Sequence, residues 1–190
     1  MAVAFRRTVM AWLLDRLYNE CAPIYDTVAM RISRGHWFLW GQAVLPYLQS
    51  PVLELGCGTG HLQAVLAREH ITAWGLDRSA RMLRLARRRT TSLMNGDSRA
   101  IPCPDATFAR VVAVFPAPYI SDPRTLAEVR RVLQADGRLV ILLSAGRHNV
   151  RLHPIWDALT NAGWELETPD CTVAGTNIHL IIGTPHVSHV

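Results

Sequence analysis

The sequence predicts a doubly wound α/β protein with a mostly parallel sheet, on the strength of three observations. From residue 51 onward, short apolar runs typical of strands alternate with segments of helical periodicity. A glycine-rich loop stands between the first apolar run and the first helical segment after it. Residues 110–115 are apolar enough for a strand buried on both faces. Repeated strand–helix units of this kind predict parallel strands with helices covering both faces of the sheet.

The composition is that of one globular domain. The chain has 190 residues, of which 49% are hydrophobic and 18% charged, so wholesale disorder is excluded. No apolar run reaches the roughly 18–20 residues of a membrane-spanning helix. The apolar stretch after Arg6 and Arg7 is interrupted by Asp15 and Arg16, so we interpret it as part of the mature fold. Four scattered cysteines form no CxxC pair, and we expect a cytoplasmic protein with free thiols and no metal.

The predicted elements follow one another without a linker. Residues 1–50 are predicted as a helical lid segment, and residues 51–190 form the sheet-containing unit. Predicted strands cover residues 52–55, 71–76, 92–95, 110–115, 138–143, 164–167 and 178–182. Predicted helices cover residues 37–48, 60–70, 79–89, 122–133 and 152–162, with Ser79 as a cap. The final two strands have no helix between them, which predicts an antiparallel hairpin at one edge of the sheet.

The loop after the first strand has the spacing of a ligand-binding turn. Gly56, Gly58 and Gly60 form a G-x-G-x-G pattern that lets the backbone approach a ligand closely. A tight turn without a ligand would use the same residues, so the loop alone decides nothing. Asp77 lies at the end of the next strand, where a carboxylate can accept hydrogen bonds from both hydroxyls of a ribose. Together, the loop and the carboxylate indicate a nucleoside-like ligand.

Residues 52–60 (VLELGCGTG) resemble the first motif of the class I S-adenosylmethionine-dependent methyltransferases. The loop lacks the third glycine of a dinucleotide-binding fingerprint at its usual spacing. The similarity continues through residues 75–77, 95–97, 102–108 and 126–137, in the order of the methyltransferase-11-like small-molecule branch. The resemblance implies S-adenosylmethionine as cofactor and a Rossmann-like, seven-stranded sheet whose last strand is antiparallel.

The resemblance also implies a set of cofactor-binding residues. These are Glu54, Gly56, Cys57, Gly58, Gly60, Asp77, Arg78, Asp97, Ser98 and Phe115. In the family pattern Asp77 would hold the ribose hydroxyls, Asp97 and Ser98 would meet the adenine edge, and Phe115 would lie near the transferred methyl group. Asp97 also fits a plain turn residue and Phe115 a core residue. Arg78 stands where the family commonly has an apolar side chain against adenine, so it either stacks by its guanidinium plane or turns away.

Methyl transfer from a sulfonium needs no acid or base unless the acceptor carries a proton, and placement alone can supply about 7–11 kcal/mol of the barrier. For a hydroxyl acceptor, the candidate bases are His148 and His153 after the fifth strand, and Tyr25 in the predicted lid is a further candidate catalytic residue. Each of them also fits an ordinary surface or packing role.

Residues 115–119 (FPAPY) carry two prolines and predict a stiff apolar wall, unlike the Asn/Asp-Pro-Pro-Tyr signature of enzymes that methylate base or amide nitrogens.

Six arginines lie between residues 78 and 89, and Arg81, Arg84 and Arg88 share one helical face. A solvated helix face explains them, and so does contact with an anionic membrane surface. Nucleic acid is less favoured because no aromatic residues alternate with the arginines. We therefore expect a methyltransferase acting on a small, apolar or lipid-like molecule. The alternatives are an RNA or protein methyltransferase and a non-catalytic cofactor-binding subunit.

Overall fold

The computed structural model describes residues 27, 29–31, 33–146 and 149–186. The α-helices are α1 (Trp37–Gly41), α2 (His61–Arg68), α3 (Ala80–Ala86), α4 (Pro123–Val132) and α5 (Pro154–Asn161). The strands are β1 (Val52–Leu55), β2 (Ala73–Asp77), β3 (Leu93–Asn95), β4 (Phe108–Val114), β5 (Leu133–Ala145), β6 (Trp164–Glu167), β7 (Thr172–Val173) and β8 (Thr176–Pro185). Short 3-10 helices cover Gln42–Tyr47, Pro118–Ser121 and Val150–Leu152. In the part of the chain so described, no helix is long and apolar enough to cross a membrane.

The sheet confirms the predicted doubly wound architecture. Its strand order is β3-β2-β1-β4-β5-β8-β6, and the short β7 pairs with β8 beside this path. The first five strands are parallel, whereas β8 is antiparallel to both β5 and β6. The strands β1, β2 and β3 follow one another outward on one side of the sheet. The chain then crosses back to β4, on the other side of β1, and continues outward to β5. This reversal opens a crevice at the carboxyl ends of β1 and β4, where such folds bind ligands.

Helices cover both faces of the sheet, because the central strands are apolar on both sides. Successive residues of β4 and β5 enter two different cores, as Leu139 and Val140 do. One core includes the apolar faces of α4 and α5, with Val129 and Ile155 fully buried. The other includes α2, through Leu66, and the segment after α1. The sheet is therefore a rigid platform between two helical layers.

Several predicted boundaries change in the structure. The helix predicted over residues 37–48 is α-helical only to Gly41 and continues as a 3-10 helix that contains Pro46, because proline lacks an amide donor. The helix predicted to residue 89 ends at Ala86, although its cap is confirmed: the Ser79 hydroxyl accepts a hydrogen bond from the Met82 amide. The strand predicted over residues 138–143 is longer, since β5 begins at Leu133, and its register shifts against β4 between Phe108 and Arg110. Residues 1–26 of the predicted lid segment are outside the described residues.

Candidate active site

The glycine loop turns sharply out of β1 and into α2. Gly56, Gly58 and Gly60 all have positive φ, of 71°, 53° and 79°, which glycine adopts without steric penalty. The amides of Gly56 and Cys57 donate hydrogen bonds to the Leu76 carbonyl, at 2.8 and 3.1 Å, and tie the loop to β2. A Cβ on Gly58 would meet nothing within 4 Å, so the backbone at this residue is open to a ligand. The loop therefore presents main-chain atoms at the crevice.

Asp77 is bound directly to this loop. One of its carboxylate oxygens accepts a hydrogen bond from the Gly58 amide and the other accepts one from the Ser79 amide, each at 2.8 Å. Burial raises the pKa of Asp77, and the two backbone hydrogen bonds act against that shift. The carboxylate is therefore fixed between the glycine loop and the start of α3. Its role toward a ribose remains a prediction.

Glu54 is the most deeply buried carboxyl group of the site. Its side chain, at 4% exposure, accepts a hydrogen bond from the side-chain amide of Gln63, at 2.8 Å. Burial raises the pKa of Glu54 to about 8; the Gln63 hydrogen bond opposes the rise and the nearby charge of Asp77 adds to it. Burial also raises the pKa of the Cys57 thiol, and the two carboxyl groups add to that rise. The site thus holds acidic groups in an environment that resists their ionisation.

Asp97 has a different environment. Its carboxylate accepts hydrogen bonds from the amide and the guanidinium of Arg99, which lower its pKa to about 2. Ser98 lies beside it, with its hydroxyl 3.2 Å from that of Thr125. The ion pair is partly exposed, with 38% of the Asp97 side chain accessible. The predicted contact with adenine stays a prediction, and the pairing with Arg99 was not expected from the sequence.

A cleft of about 890 Å³ brings most of the predicted residues together. The predicted residues that line it are Glu54, Gly56, Cys57, Gly58, Asp77, Arg78, Asp97, Ser98 and Phe115. Gly60 is not among the lining residues: a Cβ there would lie 3.0 Å from that of Ala86, so this glycine allows the loop to pack on α3. The Arg78 side chain is exposed at the rim rather than buried.

Several side chains that line the cleft are aromatic, and we call the part of the cleft next to them the aromatic end. Trp37 stacks on Phe115 with ring centroids 4.1 Å apart, and Phe38 stacks on His61 at 3.6 Å. The Tyr119 hydroxyl donates a hydrogen bond to the Leu55 carbonyl, at 2.9 Å, beneath the glycine loop. Helix α1 therefore covers this end of the cleft, in agreement with a lid role for its segment, although the lid itself remains a prediction.

Of the three catalytic candidates, the structure describes only His153, and it lies away from the cleft. His153 caps α5, where its Nδ1 accepts a hydrogen bond from the Ile155 amide at 3.2 Å, and it does not line the cleft. His148 and Tyr25 lie outside the described residues. Among the residues that the structure describes, no group of three or more His, Cys, Asp or Glu side chains could hold a metal ion.

Comparison with known proteins agrees with this geometry. Residues 52–137, from β1 into β5, match the model of a methyltransferase domain family. A demethylmenaquinone methyltransferase of Thermotoga maritima is 35% identical over 136 residues, which cover 67% of this chain and 59% of the relative. The matched residues form a class I S-adenosylmethionine-dependent methyltransferase domain.

A second relative extends the comparison. A 2-phytyl-1,4-naphthoquinone methyltransferase of Thermosynechococcus vestitus is 32% identical over 142 residues, 68% of this chain and 63% of the relative. The chain thus spans about three fifths of the length of the curated relatives it matches.

Solved structures show the same methyltransferase fold. A TehB-like S-adenosylmethionine-dependent methyltransferase from Corynebacterium glutamicum superposes with a TM-score of 0.66 at 20% identity, covering 88% of this chain and 99% of that one. Magnesium protoporphyrin IX methyltransferase from Synechocystis, solved with bound S-adenosylmethionine, superposes with a TM-score of 0.58 at 15% identity, covering 85% and 84%. At these identities the likeness establishes the fold.

The residues of the cleft fit the methyltransferase cofactor. S-adenosylmethionine carries positive charge, and a bound positive charge would favour the ionised form of the Glu54 and Asp77 carboxyl groups, whose pKa values burial raises in the ligand-free site. The space at Gly58 leaves room for the cofactor to approach the backbone. Three contributors were missed by the sequence analysis: Gln63, Arg99 and Tyr119. Of these three, only Tyr119 could have been found from the sequence, because it belongs to the predicted stiff wall at residues 115–119.

Proposed function

We propose that this methyltransferase transfers a methyl group from S-adenosylmethionine to a small, apolar molecule with a quinone-type ring. The observation that carries the proposal is the lining of the cleft, which combines carboxyl groups with aromatic rings. Glu54 and Asp77 supply the carboxyl groups, and Trp37, Phe38 and Phe115 supply the rings. The names of the relatives, which refer to demethylmenaquinone and a phytylnaphthoquinone, support an acceptor of this chemistry.

The carboxyl groups and the aromatic rings have different tasks in this proposal. When bound, S-adenosylmethionine would supply a methyl group on a positively charged sulfur, which an electron-rich acceptor atom would take up as the carbon–sulfur bond breaks and neutral S-adenosylhomocysteine leaves. Asp77, and Glu54 once it has lost its proton to solvent, would hold the cofactor by charge and hydrogen bonding. The aromatic end excludes water and orients the acceptor, and such placement is worth about 7–11 kcal/mol of the barrier. No base among the described residues is required if the acceptor reacts in its ionised form.

A transfer assay tests the proposal. The protein is incubated with methyl-labelled S-adenosylmethionine and a reduced 2-phytyl-1,4-naphthoquinone, and mass spectrometry follows the label. We expect the quinone to gain one methyl group, and Asp77→Asn to reduce the initial rate strongly at limiting cofactor. Total RNA and denatured protein serve as competing acceptors. Label in either of these, with none in the quinone, would overturn the proposal in favour of an RNA or protein methyltransferase.

The proposal extends to the place where such a substrate is found. A long-tailed quinone partitions into lipid, so the enzyme needs access to a membrane surface. Arg81, Arg84 and Arg88 are all exposed, on α3 and just after it, and Arg78 and Arg89 of the same run line the cleft. Each arginine near an anionic bilayer contributes about 1 kcal/mol of attraction. These charges support docking on anionic lipid with the cleft close to the bilayer.

A further inference from the structure

Two aromatic stacks join α1 to residues on two sides of the cleft. The ring of Trp37 lies on Phe115, with an interplanar angle of 24°. The next residue, Phe38, lies on His61 at the start of α2, with an angle of 28°. All four rings line the cleft. The aromatic end is therefore bounded by flat surfaces and not by branched aliphatic side chains alone.

Phe115 is held in an unusual conformation. Its φ of 46° lies in the left-handed region, which is uncommon for a bulky residue and costly to maintain. The Phe115 amide donates a hydrogen bond to the Leu142 carbonyl, at 2.8 Å, and Pro116 follows directly. The wall ends at Tyr119, whose hydroxyl is anchored on Leu55. The backbone therefore fixes the direction of the Phe115 ring, and such strain is characteristic of functional positions.

The Phe115 ring follows β4, which is the neighbour of the strand that carries Glu54. Glu54 of β1 is paired with Val112 of β4, and Phe115 lies three residues further along the same chain direction. Phe115 and Trp37 are both only partly buried, so neither ring is enclosed in the core. The two stacked rings already cover one face of each other, so a flat molecule in the aromatic end would contact an outer face or an edge of the pair, beside the residues that we assign to the cofactor.

We infer that Phe115 and Trp37 form an aromatic platform that selects acceptors with a planar ring, an inference that rests on the proposed function. Aromatic rings attract one another in offset or edge-to-face arrangements beyond the area that they bury. A saturated ring of the same size fills the same space without that attraction. The platform would thus favour a naphthoquinone over its saturated counterpart, whatever hydrophobic contribution the two share.

The test measures ring selectivity by binding. The dissociation constants of 2-methyl-1,4-naphthoquinone and of its fully saturated decalin-dione analogue are measured by calorimetry, at saturating S-adenosylhomocysteine. Their ratio is compared between the wild type, Phe115→Leu and Trp37→Leu, and the ring-preserving variants Phe115→Tyr and Trp37→Phe. Trp74→Leu is the matched control, since Trp74 pairs with Phe108 at 5.9 Å and does not line the cleft. Circular dichroism checks that each variant is folded.

We expect the wild type to prefer the planar compound, and each leucine variant to lower that preference three- to tenfold. The tyrosine and phenylalanine variants and Trp74→Leu should keep the wild-type ratio within twofold. An unchanged ratio in both leucine variants would overturn the inference, and so would an equal loss with the ring-preserving variants. The proposed function fails separately: a wild type that selects the planar ring but transfers no methyl to a reduced quinone refutes the transfer and leaves the platform standing.

Discussion

The side-chain amide of Gln63 donates a hydrogen bond to the carboxyl group of Glu54, and both side chains are almost completely buried. Gln63 extends from α2 and Glu54 from β1, so the contact links the helix to the strand beneath the glycine loop. Desolvation outweighs this hydrogen bond and raises the pKa of Glu54 to about 8. At neutral pH the ligand-free site therefore keeps Glu54 mainly protonated.

Glu54→Gln should stabilise the ligand-free protein increasingly as the pH rises. Because folding raises this pKa from 4.5 to about 8, the folded state binds more protons than the unfolded state between these values. The contribution of Glu54 to stability is therefore present below pH 4.5 and is lost as the pH rises toward 8. The glutamine keeps an oxygen for Gln63 but does not ionise. Urea unfolding at pH 5 and pH 8 should show the variant's advantage grow by up to about 4 kcal/mol. A difference that does not vary with pH would contradict the raised pKa.

Gly56→Ala should destabilise the loop by about 2–4 kcal/mol, because the new Cβ would lie 2.6 Å from the Tyr119 hydroxyl oxygen. Gly58→Ala is the matched control: it also has positive φ but meets nothing within 4 Å, so it should cost only about 1 kcal/mol. Urea unfolding measures both.

Tyr119→Phe provides the second half of this experiment. Without the hydroxyl, the nearest Tyr119 atom to the new Cβ is the ring carbon at 3.4 Å, an ordinary contact distance. The double variant Gly56→Ala/Tyr119→Phe should thus be more stable than the sum of the two single changes predicts. Simple additivity would show that the cost of Gly56→Ala is backbone strain alone.

Arg131→Met should lower stability by about 2 kcal/mol without changing cofactor affinity. The guanidinium of Arg131 pairs with Glu128 and Asp105 and donates to the carbonyls of Ile101 and Cys103, which holds the chain before β4. It does not line the cleft. Arg124→Met on the same helix is the control, expected to cost less than about 0.5 kcal/mol, since its pair with Asp122 is exposed. A loss of S-adenosylhomocysteine binding in Arg131→Met, with stability intact, would give this residue a functional role.

Local patterns and long-range contacts differ in how far the sequence predicts them. Strand alternation, the glycine loop and Asp77 are local patterns, and the structure places them as predicted because buried strands and positive-φ turns restrict the residues they accept. The contacts of Trp37 with Phe115 and of Tyr119 with Leu55 join residues 64 or more positions apart. No local pattern encodes such contacts. The position of β8 between β5 and β6 in the sheet is likewise not predicted by the order of the elements along the chain.

Replacing Arg81, Arg84 and Arg88 with glutamine should weaken binding to phosphatidylglycerol-containing vesicles at least tenfold at low salt. The three side chains are exposed, and attraction to anionic lipid grows with each nearby charge. A control in which Arg124, Arg138 and Arg151 become glutamine removes the same net charge outside α3. Vesicle co-sedimentation with and without the anionic lipid measures the effect. Equal losses in the two triple variants would show that vesicle binding depends on net charge and not on these three arginines. Loss of RNA binding alone would favour the nucleic-acid alternative.

Asp77→Asn should weaken S-adenosylhomocysteine binding ten- to a hundredfold, and Asp97→Asn less than fivefold. Both oxygens of Asp77 already accept backbone hydrogen bonds at 2.8 Å, from Gly58 and Ser79. Asparagine must turn its NH2 group toward one of these donors, and it also offers the ribose one acceptor fewer. A hydrogen bond to a charged group is worth roughly 1.5–3 kcal/mol, and the tenfold to hundredfold range follows from losing one.

The expected loss at Asp97 is smaller because its carboxylate is engaged elsewhere. Arg99 binds both oxygens, and more than a third of the Asp97 side chain is exposed, so the surrounding water replaces much of what the substitution removes. An asparagine carbonyl can still accept a hydrogen bond from an adenine amino group. Parallel calorimetric titrations, with circular dichroism as a check on folding, decide between the two carboxylates. A larger loss at Asp97 than at Asp77 would place the nucleoside at the Arg99 end of the cleft, away from the glycine loop.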